Sequence, residues 1–136
     1  MKEEFRYNAQ IQSIPEIRSD MQELLTEWKL PSGELKQILL IVEELFSNIC
    51  RYAFEDPGSA HVDISLELED QHLILILSDQ GRPFNPLDYD PEEVNDPVAI
   101  RDSGMGLSLI RAFAEKMEYH RHGERNVLMI RKAIFY

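Results

Sequence analysis

The chain has 136 residues, a formal net charge of −11 and a hydrophobic share of 43%, which predicts a single domain over 1–136 built on one substantial core. The acidity argues against nucleic-acid binding, which relies on clustered Lys and Arg to displace counterions. No apolar run reaches the roughly 18 residues of a membrane span, Met1-Lys2-Glu3-Glu4 does not open a signal peptide, and the lone Cys50 cannot form an internal disulfide, so a cytoplasmic protein is expected.

Phe5, Tyr7, Ala9 and Ile11 alternate and predict a strand within residues 5–14. Ser13 and Glu16 have capping-box spacing around Pro15, which starts a helix running to about Leu30 with Ile17, Met21, Leu24, Leu25 and Trp28 inward. Pro31-Ser32-Gly33 breaks it. Residues 34–54 predict a second helix. Leu35, Ile38, Leu39, Val42, Leu45, Phe46, Ile49 and Ala53 share one face; Gln37, Glu44, Asn48 and Arg51 lie opposite, flanked by Leu40 and Ile41. That flanking suggests that the polar face borders a cleft rather than open water. Asp56-Pro57-Gly58 ends the segment.

His61 to Glu69 alternates as a half-buried strand, with a hairpin turn at Glu69-Asp70-Gln71. The run Leu73–Leu77 predicts a central strand buried on both faces. Residues 80–103 form a long, Pro-rich and acidic connection. A helix is predicted from Leu107 to Met117, then a closing hairpin, 119–122 and 127–134, around Gly123-Glu124-Arg125-Asn126. This order predicts an α+β fold, a two-layer α/β sandwich.

Three groups of residues could carry chemistry. Glu44 and Asn48 lie four apart on one helix face, where a carboxamide oxygen suits a hard cation and a carboxylate can accept a hydroxyl proton; a solvated helix face carries the same residue types. Asp79 closes an apolar strand before Gly81, and such a carboxylate accepts a hydrogen bond from an exocyclic amine; a plain turn has the same composition. Gly104-Met105-Gly106 precedes a helix, whose N-terminal N–H groups attract phosphate. No P-loop and no G-x-G-x-x-G is present. His61, His72, His120 and His122 lack zinc spacing, and Cys50 and Trp28 read as packing residues.

In their order, Glu44-x-x-x-Asn48, Asp79-x-Gly81-x-x-Phe84 and Gly104-x-Gly106-Leu107 resemble the N, G1 and G2 boxes of the GHKL ATPases, the superfamily of gyrase B and the histidine kinases. Asp79-Gln80-Gly81-Arg82-Pro83-Phe84-Asn85-Pro86 and Gly123-Glu124-Arg125-Asn126-Val127-Leu128 are most similar to the bacterial anti-sigma-factor serine kinases. The resemblance implies a Bergerat-type sandwich with a mixed, mostly antiparallel sheet covered by helices on one face, binding ATP and Mg²⁺. It implies Glu44 as catalytic base and Asn48 as Mg²⁺ ligand. Asp79, Gly81 and Phe84 would form the base pocket, and Ser103, Gly104, Met105, Gly106 and Leu107 the phosphate side, with residues 85–103 as a lid. The implied partners are an anti-anti-sigma antagonist carrying the acceptor serine, a sigma factor, and a second copy in a homodimer. Some members have an arginine two residues before the G2 glycines; here Asp102 stands there and Arg101 one residue earlier. That displacement keeps two other readings open, a non-catalytic ATP-gated binding module and a stand-alone ATPase.

Overall fold

The computed structural model describes residues 1–56, 58–88 and 107–136. Its elements are β1 (Lys2–Asn8), α1 (Ile14–Glu27), α2 (Ser32–Tyr52), β2 (His61–Glu69), β3 (His72–Asp79), a helical stretch at residues 107–113 (α3), β4 (Lys116–His122) and β5 (Arg125–Ala133). The described strands form one five-stranded sheet in the order β1-β2-β3-β5-β4. All four pairings are antiparallel. The expected mixed, mostly antiparallel sheet is therefore wholly antiparallel among the described strands, because the β4–β5 hairpin enters beside β3 with β5 running against it.

One sheet face carries the core. Val62, Ile64 and Leu66 of β2, Leu73, Leu75 and Leu77 of β3, and Leu128 and Ile130 of β5 pack with Ile17, Met21 and Leu25 of α1 and Ile38, Val42, Leu45, Phe46 and Ile49 of α2. Sequestering these side chains from water supplies the main drive to fold. Successive strand residues point to opposite faces, so the outer face carries Arg6, Asp63, Ser65, Ile74, Ile76, Val127 and Met129. Strand β3 is central, as predicted, but Ile74 and Ile76 are only half-buried and the expected burial on both faces is not found. An unbroken apolar run fits either arrangement; what decides it is that the helices in the core lie on one side only.

Local signals give mixed results. Strand β1 ends at Asn8, before the expected stretch does, and Ile11–Ser13 form a 3₁₀ turn. The capping box is not made: Ser13 has no side-chain cap bond, and its hydroxyl donates to Asn8 O at 2.9 Å. Trp28 caps the end of α1 half-buried, at the margin of the core. On α2, Ile41 joins the core while Leu40 stays exposed. The last helix stops at residue 113 rather than Met117, because Lys116 and Met117 pair with Arg131 and Ile130. Gly123, at φ +59°, supplies the left-handed backbone of the tight turn joining β4 to β5.

Candidate functional site

Glu44, Asn48 and Tyr52 follow one another at i, i+4 on α2 and share a face. Asn48 is 2% exposed and Glu44 half-buried. The face is thus partly covered rather than fully solvated, with Gln37, Arg51 and Tyr52 also half-buried. Asp79 ends β3 at 2% exposure. Its Oδ1 accepts from the Gly81 N–H at 2.8 Å and from Asn126 Nδ2 at 3.0 Å. Burial pushes the Asp79 carboxyl above the usual range. The bonds from Asn126 and Gly81 and the charges of Arg121 and Arg125 pull the other way.

The turn after Asp79 is seated on the C-terminal end of α2. Arg82 N donates to Ala53 O at 2.9 Å, and Arg82 Nε to Tyr52 O at 2.6 Å. The Phe84 ring lies 5.6 Å from that of Tyr52, tilted by 44°. Gly81 makes this seat possible: a Cβ there would stand 2.5 Å from Ala53 O and 2.8 Å from Ala53 Cβ. The first glycine turn thus sits against Tyr52 and Ala53, one helical turn beyond Asn48 on α2. Of the third group, Ser103, Gly104, Met105 and Gly106 lie outside the described residues, as does most of the expected 85–103 lid. Leu107 opens α3 half-buried, Ile110 is in the core, and Arg111 Nη2 donates to Leu87 O at 2.8 Å. This ties α3 to the segment that follows Phe84.

Sequence reasoning missed Asn126, Tyr119 and Arg121. Asn126 is the direct cross-strand partner of Asp79 and is 3% exposed. Its Nδ2 also donates to Arg82 O at 2.9 Å. Its Oδ1 accepts from Tyr119 OH, from Arg121 Nη1 at 3.1 Å and from Phe84 N at 3.3 Å. Arg121 Nη1 donates to Gly81 O at 2.7 Å. The available signal was a polar residue in phase with the inward-facing Leu128 and Ile130.

Cys50 is buried, and its thiol is pushed up to about 12, first by burial and then by the Asp79 charge, which removes it as a nucleophile. Among the described residues no group of three His, Cys, Asp or Glu could hold a metal by itself. His120 and His122 share the outer face, ring centroids 5.7 Å apart. Two pockets of about 570 and 510 Å³ lie on and beside the outer face; they share Arg6 and Asp63 and include none of Glu44, Asn48 or Asp79. In both pockets Arg6 is paired with Asp63, which also pairs with Arg125. The residue types suit a purine nucleotide: an acceptor carboxylate beside a glycine turn for an amine, the Phe84 ring in the same turn, and the carboxamide of Asn48 on α2, an oxygen donor of the kind a hard cation takes.

The fold and this site define an ATPase-type α/β sandwich, and comparison with known proteins agrees. Residues 7–132 match the histidine kinase-like ATPase domain. The anti-sigma F factor of Shouchella clausii is 32% identical over 87 residues, covering 62% of this chain and 59% of that protein. The chain thus matches about three-fifths of that relative's length. Among solved structures, the RsbU and RsbW domains of Rv1364c from Mycobacterium tuberculosis superpose with a TM-score of 0.68 at 12% identity, over 97% of this chain and 32% of that one. The SiaB-SiaC complex from Pseudomonas aeruginosa gives a TM-score of 0.63 at 15% identity, over 97% and 89%. At those identities the two structures establish the fold alone. The chain belongs to the histidine kinase-like ATPase domain family; its similar relatives there include anti-sigma F factors and the sensor protein kinase GraS of Staphylococcus aureus, 32% identical over 90 residues, 62% of this chain and 25% of that protein. No described helix is long and apolar enough to cross a membrane.

Proposed function

We propose that the chain is an ATP-dependent protein-serine kinase and anti-sigma factor of a bacterial partner-switching system, acting in the cytoplasm on an anti-anti-sigma antagonist. The observation that carries this reading is the seating of the Asp79–Phe84 turn on Tyr52 and Ala53, on the helix face that carries Asn48 and Glu44 about one and two turns earlier. The relatives named anti-sigma F factor and the SiaB-SiaC complex support a protein partner.

In this reading Asp79 accepts the adenine amine, Gly81 and Phe84 border the base, and Ser103, Gly104, Met105, Gly106 and Leu107 line the phosphates. Asn48 would supply an oxygen to Mg²⁺, which when bound would offset phosphate charge. Glu44 takes the proton of the acceptor serine as its oxygen bonds the terminal phosphorus and the bond to the departing ADP breaks. A homodimer and a sequestered sigma factor complete the proposal. Asp102, standing where some relatives have an arginine, favours the runner-up, an ATP-gated binding module without transfer.

The test is to incubate the chain with MgATP and the antagonist encoded beside it, and to follow phosphoserine by mass spectrometry. Glu44→Gln is expected to lower transfer about 10²–10⁴-fold while ATP affinity stays near wild type. Full transfer by Glu44→Gln would remove the base from its role, and ATP binding with no transfer by wild type would select the binding module.

A further inference from the structure

Asn126 does more than fill the end of β5. Its carboxamide is locked in one orientation. Three donors, Tyr119 OH, Arg121 Nη1 and Phe84 N, converge on Oδ1, an atom that can only accept. The amide nitrogen therefore faces the other way, and both its hydrogens are used, on Asp79 Oδ1 and Arg82 O. With the Gly81 N–H, Asp79 Oδ1 receives two donors. Among the described residues no hydrogen bond is made to Asp79 Oδ2. A proton on this carboxyl group would thus sit on Oδ2 rather than on the oxygen that receives two donors.

We infer that Asn126 is a positioning residue that keeps Asp79 an acceptor and thereby selects purines with a 6-amino group over those with a 6-oxo group. This rests on the nucleotide reading of the site. Ionised Asp79 accepts from an exocyclic amine and repels a carbonyl oxygen. Protonated at Oδ2 it donates, which suits a 6-oxo group. Two donors on Oδ1 favour the ionised form, against the burial that favours the neutral one. The other titratable or charged groups acting on this pair are Cys50 from α2, Tyr119 and Arg121 from β4, and Arg125 from β5. Cys50 stays a neutral thiol at physiological pH, so Asn126 is the neutral donor whose removal changes the balance without deleting a charge.

The experiment measures MgATP and MgGTP affinity between pH 5 and 8 for wild type, Asn126→Asp, Asn126→Ala and Asp79→Asn. Asn126→Asp keeps an oxygen for Tyr119, Arg121 and Phe84 but sets a second acceptor against Asp79 Oδ1 and Arg82 O, whereas Asn126→Ala removes the donor without adding charge; urea unfolding of both variants separates a folding defect from a change in base preference. Losing the donor to a buried charge should narrow the ATP-over-GTP preference about tenfold at neutral pH. The pH below which the preference collapses should move upward. A purely structural role lowers both affinities together, so an unchanged ratio and midpoint in both Asn126 variants overturns the inference. If Asp79→Asn also keeps the wild-type ratio, the base-pocket reading of Asp79 falls with it; if Asp79→Asn loses the preference while the Asn126 variants keep it, only Asn126 is misassigned.

Discussion

Gly81 has no room for a methyl group. The nearest neighbours of an added Cβ are the Ala53 carbonyl oxygen and Cβ, and neither can move without shifting the end of α2. Gly81→Ala should therefore destabilise the fold by about 1–3 kcal/mol, read by urea denaturation. It should also weaken ATP binding, because the turn would lift from Tyr52 and Ala53. Asp79 makes a second prediction at this scale. Its folded pKa is raised chiefly by burial, so its ionised form opposes folding. The native state then holds more protons than the unfolded chain between the ordinary carboxylate value and the raised one, and stability falls as pH rises through that window. Asp79→Asn removes this dependence. The stability difference between wild type and variant should shift toward wild type as pH is lowered, measured by denaturant titration at several pH values. The Asp79–Gly81 turn was legible in the sequence because an acid and a glycine end an apolar strand. Asn126 was not, since its importance comes from facing Asp79 across a strand pair whose register no local pattern reveals.

Elements are tied together by two kinds of charge. At the start of α2, Glu34 (7% exposed) pairs with Lys132 of β5 (4% exposed), and Lys132 Nζ also reaches Ala133 O at 3.1 Å. Glu34 Oε1 accepts from Phe135 N at 3.3 Å. Breaking such a pair from one side strands a buried charge, so Lys132→Met should cost about 3–5 kcal/mol. The double variant with Glu34→Gln should recover much of that loss in thermal or urea unfolding. On the outer face, Asp63 of β2 accepts from Arg6 of β1 at 2.8 Å and from Arg125 of β5 at 2.9 Å, and Arg125 also donates to Ser78 of β3 at 2.9 Å. Arg6 first, and Arg125 after it, hold the Asp63 carboxyl below its ordinary value against its partial burial. Its stabilising share is present above the unfolded pKa and lost as pH falls through the lower folded one. Solvent screening keeps it small, about 0.2–1 kcal/mol, so Asp63→Asn should be slightly destabilising at pH 7 and neutral in strong acid. The helices and β2 could be read in advance because Ile38, Val42, Leu45, Phe46 and Ile49 hold helical period and residues 61–69 alternate. The early end of α3 could not, because Lys116 and Met117 continue the helical pattern and are claimed by pairing with β5.

For the whole molecule, the overall acidity and the antiparallel sheet set limits that the site then narrows. A ligand that binds only the folded chain stabilises it by mass action, about 2.7 kcal/mol at a hundredfold excess over its dissociation constant. MgATP should accordingly raise the melting temperature, and GTP at the same concentration should raise it less. The fold class was legible from the order of strands and helices, and the family, with the covering of one face by helices that it implies, from three spaced motifs. The Arg6–Asp63 pockets on and beside the outer face, also roomy, were not foreseen in the sequence, because they form where side chains of separate strands meet. The most direct test is a MgATP titration followed by backbone amide NMR. Shifts centred on Asn48, Gly81, Phe84 and Asn126, with Ser65 and Ile76 unmoved, are predicted. Shifts confined to Arg6, Asp63, Ser65 and Ile76 would contradict the account.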